Sequence, residues 1–272
     1  MNTFFKNDFN THFKTAQTLY QSYSTLQTNH TLESIFFDTF ASLGLPITET
    51  NNIRESFNNI ILKYYPNELS IKSSFINQVL FKSSNHVSIF ELPIGNSRVD
   101  LCKIDGSSVA FEIKTDLDNL SRLDKQLSDY LEVFEEVFII CSSNKVQEIE
   151  RKAVSNCGIY TYSISKHGNY KFVLCKQATK SQNLNAAKQL NVLRKQELVD
   201  FFSITWQRNR DDMISLILSE YSPTQVNNLF KRAIKSRYQS QWDFLKNHSL
   251  EIFEIDYQWF FKNTVSPELI YG

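Results

Sequence analysis

Residues 97–114 constrain this chain more than any other stretch. Two short runs, 97–104 and 108–114, alternate apolar and polar residues and flank Asp105-Gly106-Ser107-Ser108, whose Asp-Gly pair suits a tight hairpin turn. Side chains alternate across a strand, so Glu112 and Lys114 take one face while Phe111 and Ile113 take the other. Pairing the two runs through the turn can bring Asp100 beside Glu112. Aspartate is disfavoured inside strands, yet here it sits within Val99-Asp100-Leu101-Cys102. Two carboxylates offer hard oxygen ligands to a divalent cation, and a neighbouring ammonium can orient a water or offset charge on a phosphate. The bland alternative is a pair of solvated strand carboxylates with a snorkelling lysine.

Flanking patterns extend the hairpin into a sheet with helices around it. Helical spacing predicts helices over 4–28, 31–44, 53–65 and 69–81. A strand over 86–92 precedes the hairpin and carries Glu91 near its end, where it can reach the face of Asp100. Arg98 lies two residues before Asp100 and shares its face. Beyond the hairpin comes a helix over 119–133 with Leu120, Leu123, Leu127 and Leu131 as its buried stripe. Arg122, Gln126 and Tyr130 recur on that helix at i, i+4 and i+8, nearly on one face. A strand over 136–141, a helix over 144–155, and strands over 158–164 and 169–176 follow. After a polar linker, 176–184, helices are predicted over 185–202, 209–220, 223–247 and 251–262.

The ordered set Asp100, hairpin, Glu112-Ile113-Lys114 and a helix with Arg122-Leu123, Gln126 and Tyr130 resembles the PD-(D/E)XK nuclease superfamily. Within it, the set is similar to a bacterial branch in which E-I-K is followed by R-L-x-x-Q-x-x-x-Y. The similarity runs from about Glu91 to Cys141, and Val99 stands where the superfamily has its proline. The resemblance implies an α/β fold with a restriction-endonuclease-like core, a mixed β-sheet flanked by helices; the helical patterns on either side add an N-terminal helical extension and a C-terminal helical bundle. The corresponding boundaries are 1–50, 51–178 and 179–272. It also implies a nuclease dependent on Mg²⁺ or Mn²⁺ that hydrolyses phosphodiester bonds, in DNA first of all. Asp100, Glu112 and Glu91 would bind the metal, Lys114 would position the water, and Gln126 would support it. Arg98, Arg122 and Tyr130 would meet the substrate. For the helix glutamate of many superfamily members, Glu55 and Glu68 both stay open. Two alternatives stand beside this reading: a catalytically silent nuclease-fold binding module of a phage, mobile-element or defence system, and an RNA-cleaving effector.

Charge bears on the partner. The chain has 29 basic and 29 acidic residues, but residues 166–246 hold 14 basic and 6 acidic ones, a net of +8. Such a segment suits a polyanion. Lys231, Arg232 and Lys235, followed by Tyr238 and Trp242, are its candidate nucleic-acid contacts, against the alternative of an ordinary helix with a solvated basic side. Cys102, Cys141, Cys157 and Cys175 form no C-x-x-C pair and read as buried reduced thiols in the cytoplasm. No apolar run is long enough to span a bilayer, so no membrane partner is expected. A homodimer stays open. Five scattered histidines and the lack of a Gly-rich phosphate loop give no support to histidine-ligated metal or nucleotide-driven chemistry.

Overall fold

The computed structural model describes residues 2–45, 52–152, 155–165 and 168–272, with side chains from residue 10 onward. Six strands form one mixed sheet in sequence order: β1 (Val87–Ile94), β2 (Ser97–Ile104), β3 (Ser108–Lys114), β4 (Glu136–Ser142), β5 (Gly158–Ile164) and β6 (Tyr170–Lys176). The first three form an antiparallel meander, whereas β4 runs parallel to β3 and β5 parallel to β4. The parallel steps require crossovers, supplied by α5 (Leu123–Leu131) and α6 (Val146–Lys152). Gly95, at φ +56°, makes the two-residue turn between the paired Ile94 and Ser97. The next turn is built differently from the expected Asp-Gly hairpin. Its three residues are held by Asp105, whose Oδ1 accepts from Ser107 N at 2.9 Å, and Gly106 keeps negative φ.

Before the sheet come α1 (Asn2–Ser22), α2 (Asn29–Ser42), α3 (Ile53–Tyr64) and α4 (Glu68–Phe75), the last running into a π-helical turn over Ile76–Leu80. After it come α7 (Ala186–Val192), α8 (Lys195–Phe202), α9 (Arg210–Glu220), α10 (Pro223–Asn247), α11 (Tyr257–Asn263) and α12 (Pro267–Tyr271). Several helices are shorter than periodicity predicts, because local side chains cap them. Thr28 Oγ1 accepts from Thr31 N at 3.2 Å and starts α2 afresh after a turn at Ser24–Gln27. Leu193 turns extended, and Glu197 accepts from Arg194 N at 2.6 Å, which splits 185–202 into α7 and α8. Residues 153–154 of the helix expected over 144–155 lie outside the described residues.

The chain divides into two compact units that are not the three consecutive domains expected. One comprises 1–78, 164–171 and 244–272; the other comprises 79–163 and 172–243. In the first unit, Leu19, Leu32, Phe36, Phe57 and Ile61 from α1–α3 pack with Ile255 from far along the chain. A polar knot lies with them. Arg54, 2% exposed, donates to Asn29 Oδ1 at 2.9 Å and to the carbonyls of Thr25 and Ile270. Fully buried Asp256 accepts from Tyr23, Thr25 and Tyr271 at 2.6–2.8 Å. These bonds join the two ends of the chain in one unit, which sequence order alone does not suggest.

In the second unit α5 lays Leu123, Leu127 and Leu131 into the core beside the sheet. Helix α10 is anchored by Lys231, whose Nζ reaches both oxygens of Glu135 at 3.1 Å and the carbonyl of Gly106 at 2.9 Å. The segment after residue 178 therefore contributes to the sheet unit up to Asp243. Cys102 and Cys141 are buried free thiols, as their strand settings imply, with Cys141 pushed up to about 12 by burial; Cys157, just before β5, is buried and free as well. Cys175 departs from expectation and is exposed. Among the described residues no helix is long and apolar enough to cross a membrane.

The two units should respond oppositely to pH. Burial raises the Asp256 carboxyl above its ordinary value, against its three hydroxyl donors and Arg54. Its contribution is complete below the ordinary carboxylate pKa and is lost as pH rises through the raised one. Burial also pushes Glu135 upward, but Ser108 N–H and Lys231 outweigh it, so its pKa is lowered. Glu135 therefore stabilises above the ordinary pKa, and this is lost as pH falls through the lowered one. Urea melts followed by Trp259 in the first unit should weaken toward neutral pH, and Asp256→Asn should flatten that dependence. Melts followed by Trp242 in the second should show the reverse slope.

Candidate functional site

The sheet register aligns three acids. In β1–β2, Phe90 pairs with Leu101 and Leu92 with Val99, which sets Glu91 across from Asp100. In β2–β3, Leu101 pairs with Phe111, so one step further Asp100 comes across from Glu112. Residues opposite one another share a sheet face, and the three carboxylates form a row across three strands. All three are withdrawn from water: Asp100 is 8% exposed and Glu112 1%, and the Glu91 side chain is 8% exposed. Glu91 and Asp100 each bring a carboxylate oxygen within 4.8 Å of the other.

The backbone is irregular along this row. Glu91 has φ +57°, a left-handed conformation that costs a non-glycine residue of order 1–3 kcal/mol. One step past the last β2–β3 pair, Ile113 N donates to Asp100 Oδ2 at 2.7 Å. A carboxylate has replaced a ladder carbonyl, so the hairpin strands part where the acids gather.

Glu112 is the best supported of the three. Lys114 Nζ and Gln126 Nε2 both donate to its Oε1 at 2.6 Å, and Lys114 Nζ also reaches Gln126 Oε1 at 3.1 Å. Tyr130 OH lies 2.9 Å from Oε2 and 2.7 Å from the Arg98 carbonyl. Gln126 and Tyr130 are one turn apart on α5, so a single helix face serves both oxygens. Burial, and next the charge of Glu112, push the Tyr130 hydroxyl far above its ordinary pKa, which keeps it a neutral donor.

Most of the expected site residues thus converge: Glu91, Asp100, Glu112, Lys114, Gln126 and Tyr130. Tyr130, however, is fully buried and holds Glu112 rather than facing outward to a substrate. Arg98 bonds Glu91 Oε2 through Nε at 2.6 Å, yet its side chain is 64% exposed at the edge of the row. Arg122 is exposed where α5 begins. The basic helix departs from expectation. Lys231 points inward to Glu135, because Phe230, Ala233 and Ile234 around it are core residues. Lys235 donates to the Asn85 carbonyl at 2.6 Å, and Arg232 is exposed. Trp242 is buried beside Phe81 and His86. Of the two glutamates left open, Glu68 opens α4 and accepts from Lys72 at 2.8 Å, while Glu55 lies in the first turn of α3. The left-handed Glu91 had no sequence signal, since nothing local marks a glutamate for positive φ.

An α/β protein with a buried carboxylate row and an attached lysine on its sheet is the class this geometry defines. The chain belongs to the family described as Bacteriophage P4 protein cII, whose profile matches residues 63–257 and so spans the whole row. It is 29% identical to protein cII of Enterobacteria phage P4 over 181 residues, which is 64% of this chain and 68% of that protein. Among solved structures, a protein of unknown function from Silicibacter pomeroyi matches 40% of this chain and 69% of its own, with 19% identity and a TM-score of 0.31.

Two substitutions in the row should move stability in opposite directions. Glu91→Gly removes the left-handed strain and a like charge facing Asp100, and should stabilise by about 1 kcal/mol. Tyr130→Phe leaves Glu112 Oε2 short of a donor in a buried setting and should cost about 2 kcal/mol. Urea melts of the two variants read both values, and a destabilised Glu91→Gly would remove strain from the account of β1.

Proposed function

We propose that this chain is a nuclease of the PD-(D/E)XK kind, with a restriction-endonuclease-like core, hydrolysing phosphodiester bonds in DNA with Mg²⁺ or Mn²⁺. The observation that carries this reading is the union of the acid row with Lys114, held between Glu112 and Gln126 at 2.6 and 3.1 Å. The chemistry of the donor set, all carboxylate oxygen, suits a divalent cation, with Glu91 and Asp100 within 4.8 Å of one another, whereas Glu112 would have to release a protein donor to join them. Asp100, Glu91 and Glu112 would hold it. Bound there, it would supply positive charge at a phosphate oxygen and acidify a water.

The chain's own residues then divide the work. Lys114 orients the attacking water and offers its charge to the phosphate, while Gln126 fixes the ammonium. Tyr130 fixes the Glu112 carboxylate from the other side. Arg98 and Arg122, exposed beside the row, meet the flanking phosphates. Because Lys231 is committed to Glu135, only Arg232 and Lys235 of the three candidate contacts on this helix are left for nucleic acid.

A second reading has its own support. Glu112 Oε1 accepts from Lys114 and Gln126, and Oε2 shares the single Tyr130 hydroxyl proton with the Arg98 carbonyl, so protein groups already surround the carboxylate, which suits a nuclease-like fold kept as a binding module. The phage origin of the relative suits such a module of a phage or mobile element equally well. Purified protein incubated with plasmid and linear DNA separates the two. The nuclease reading expects cleavage with Mg²⁺ or Mn²⁺, none with chelator, and a loss of roughly 10²–10⁴-fold in Lys114→Ala. DNA binding without cleavage under any divalent cation supports the module, and cleavage confined to RNA reassigns the substrate.

A further inference from the structure

A cavity of about 550 Å³ lies within the sheet unit, walled by the β1–β2 turn, α5, α7 and α10. Its position is tied to the acid row through α5. Gln126 and Tyr130 serve Glu112, while Asp129 lines the cavity from the neighbouring helix face and Val133 from the turn that follows α5. We propose that this cavity binds one nucleoside monophosphate unit whose base carries an exocyclic amino group. The volume falls in the range of small-ligand pockets and accommodates a single nucleotide.

The chemistry of the walls argues for that class. Ile94 and Val192 give an apolar surface, and Tyr238 gives a ring with the Arg237 guanidinium 5.5 Å from its centroid. A planar heterocycle suits such a wall. Three cations reach the cavity, but two are answered by acids that do not line it: Arg237 by Glu197 at 2.6 Å, and Lys188 by Glu132. Arg194 is exposed on the wall and offers its guanidinium to an anion, matching the fork geometry of phosphate. Asp129 accepts from the Ser97 hydroxyl at 2.5 Å and presents an acceptor to the same space. A phosphate toward Arg194 and an amino group toward Asp129 satisfy both ends. Carboxylate recognition of the cytosine amine is an established pairing chemistry. That a bound strand supplies the nucleotide rests on the nuclease reading, whereas a free nucleotide does not need it.

Calorimetric titration of the intact chain without divalent metal tests the site. The ligands are dCMP, dAMP, dTMP, inorganic phosphate and a short single-stranded oligonucleotide. The expected order places dCMP and dAMP above dTMP, and all three above phosphate. Arg194→Ala should weaken dCMP by roughly tenfold or more, the loss of one charge-assisted contact. Asp129→Asn should erase the preference for amino-bearing bases. Both variants alter partly or fully exposed side chains, and their melting temperatures report folding. An oligonucleotide that binds far more tightly and displaces dCMP assigns the site to a strand; equal affinity assigns it to free nucleotide. No saturable nucleotide binding, phosphate bound as tightly as dCMP, or indifference to both substitutions overturns the proposal. The Lys114→Ala variant should bind dCMP normally. Binding without cleavage by the wild type would sink the nuclease reading alone, and cleavage without nucleotide binding would sink the cavity alone.

Discussion

Burying the Glu112 carboxylate dictates much of the sheet unit. A carboxylate at 1% exposure must find hydrogen-bond donors or lose its charge. Its donors come from two elements: Lys114 from its own strand, and Gln126 and Tyr130 from α5. Satisfying it therefore fixes the rotation of α5 about its axis, because two side chains one turn apart must both point at β3. The same rotation sends Leu123, Leu127 and Leu131 into the core. Tyr130 adds a link to the Arg98 carbonyl, so β2 and β3 are bridged through one phenol where their backbone pairing has ended. A polar requirement and an apolar one agree on the orientation of one helix, which is the consistency that marks a well-specified fold.

Much of this was legible from residues alone, and the reason is locality. Strands over 97–104, 108–114 and 158–164 follow from alternation and turn residues within a few positions of one another. The register that sets Asp100 across from Glu112 rests instead on a three-residue turn held by Asp105, not on the expected Asp-Gly hairpin. What escaped depends on contacts distant in sequence. Lys231 reads as one basic residue among several until Glu135, 96 residues earlier, claims it. Asp256 and Arg54 look like surface charges until burial draws them into one knot across the chain. Helical spacing gives the face Tyr130 takes but not its depth, because periodicity gives direction without distance from solvent. The apolar period does not show the break before α2, where Thr28 caps a new helix start, nor the one at Leu193, where Glu197 caps α8.

Family membership and geometry bear on different questions. The profile match extends from α3 to the start of α11 and so includes every residue of the acid row, but it carries no chemistry of its own. The chemistry comes from the side chains: hard oxygens in a row, a lysine fixed from two sides, and an exposed arginine paired with Glu91. A cavity on the neighbouring face of α5 extends the surface on which this helix acts. One nine-residue helix thus stands between the reacting chemistry proposed for the row and the recognition proposed for the cavity.

The clasp of Lys231 on the Gly106 carbonyl has a consequence for how the chain is made. The two residues are 125 positions apart, and the ammonium closes over the tip of the hairpin that carries Asp100 and Glu112. During synthesis the hairpin emerges long before α10 exists. Until then its tip is held by Asp105 and, once β4 has emerged, by Glu135, which accepts from Ser108 N at 2.8 Å; a slip of one residue would turn the acids to the apolar side. Arrival of α10 after translation of residue 231 removes that freedom. A ribosome stalled earlier would carry a nascent chain whose acid row is present in sequence but not yet locked in register.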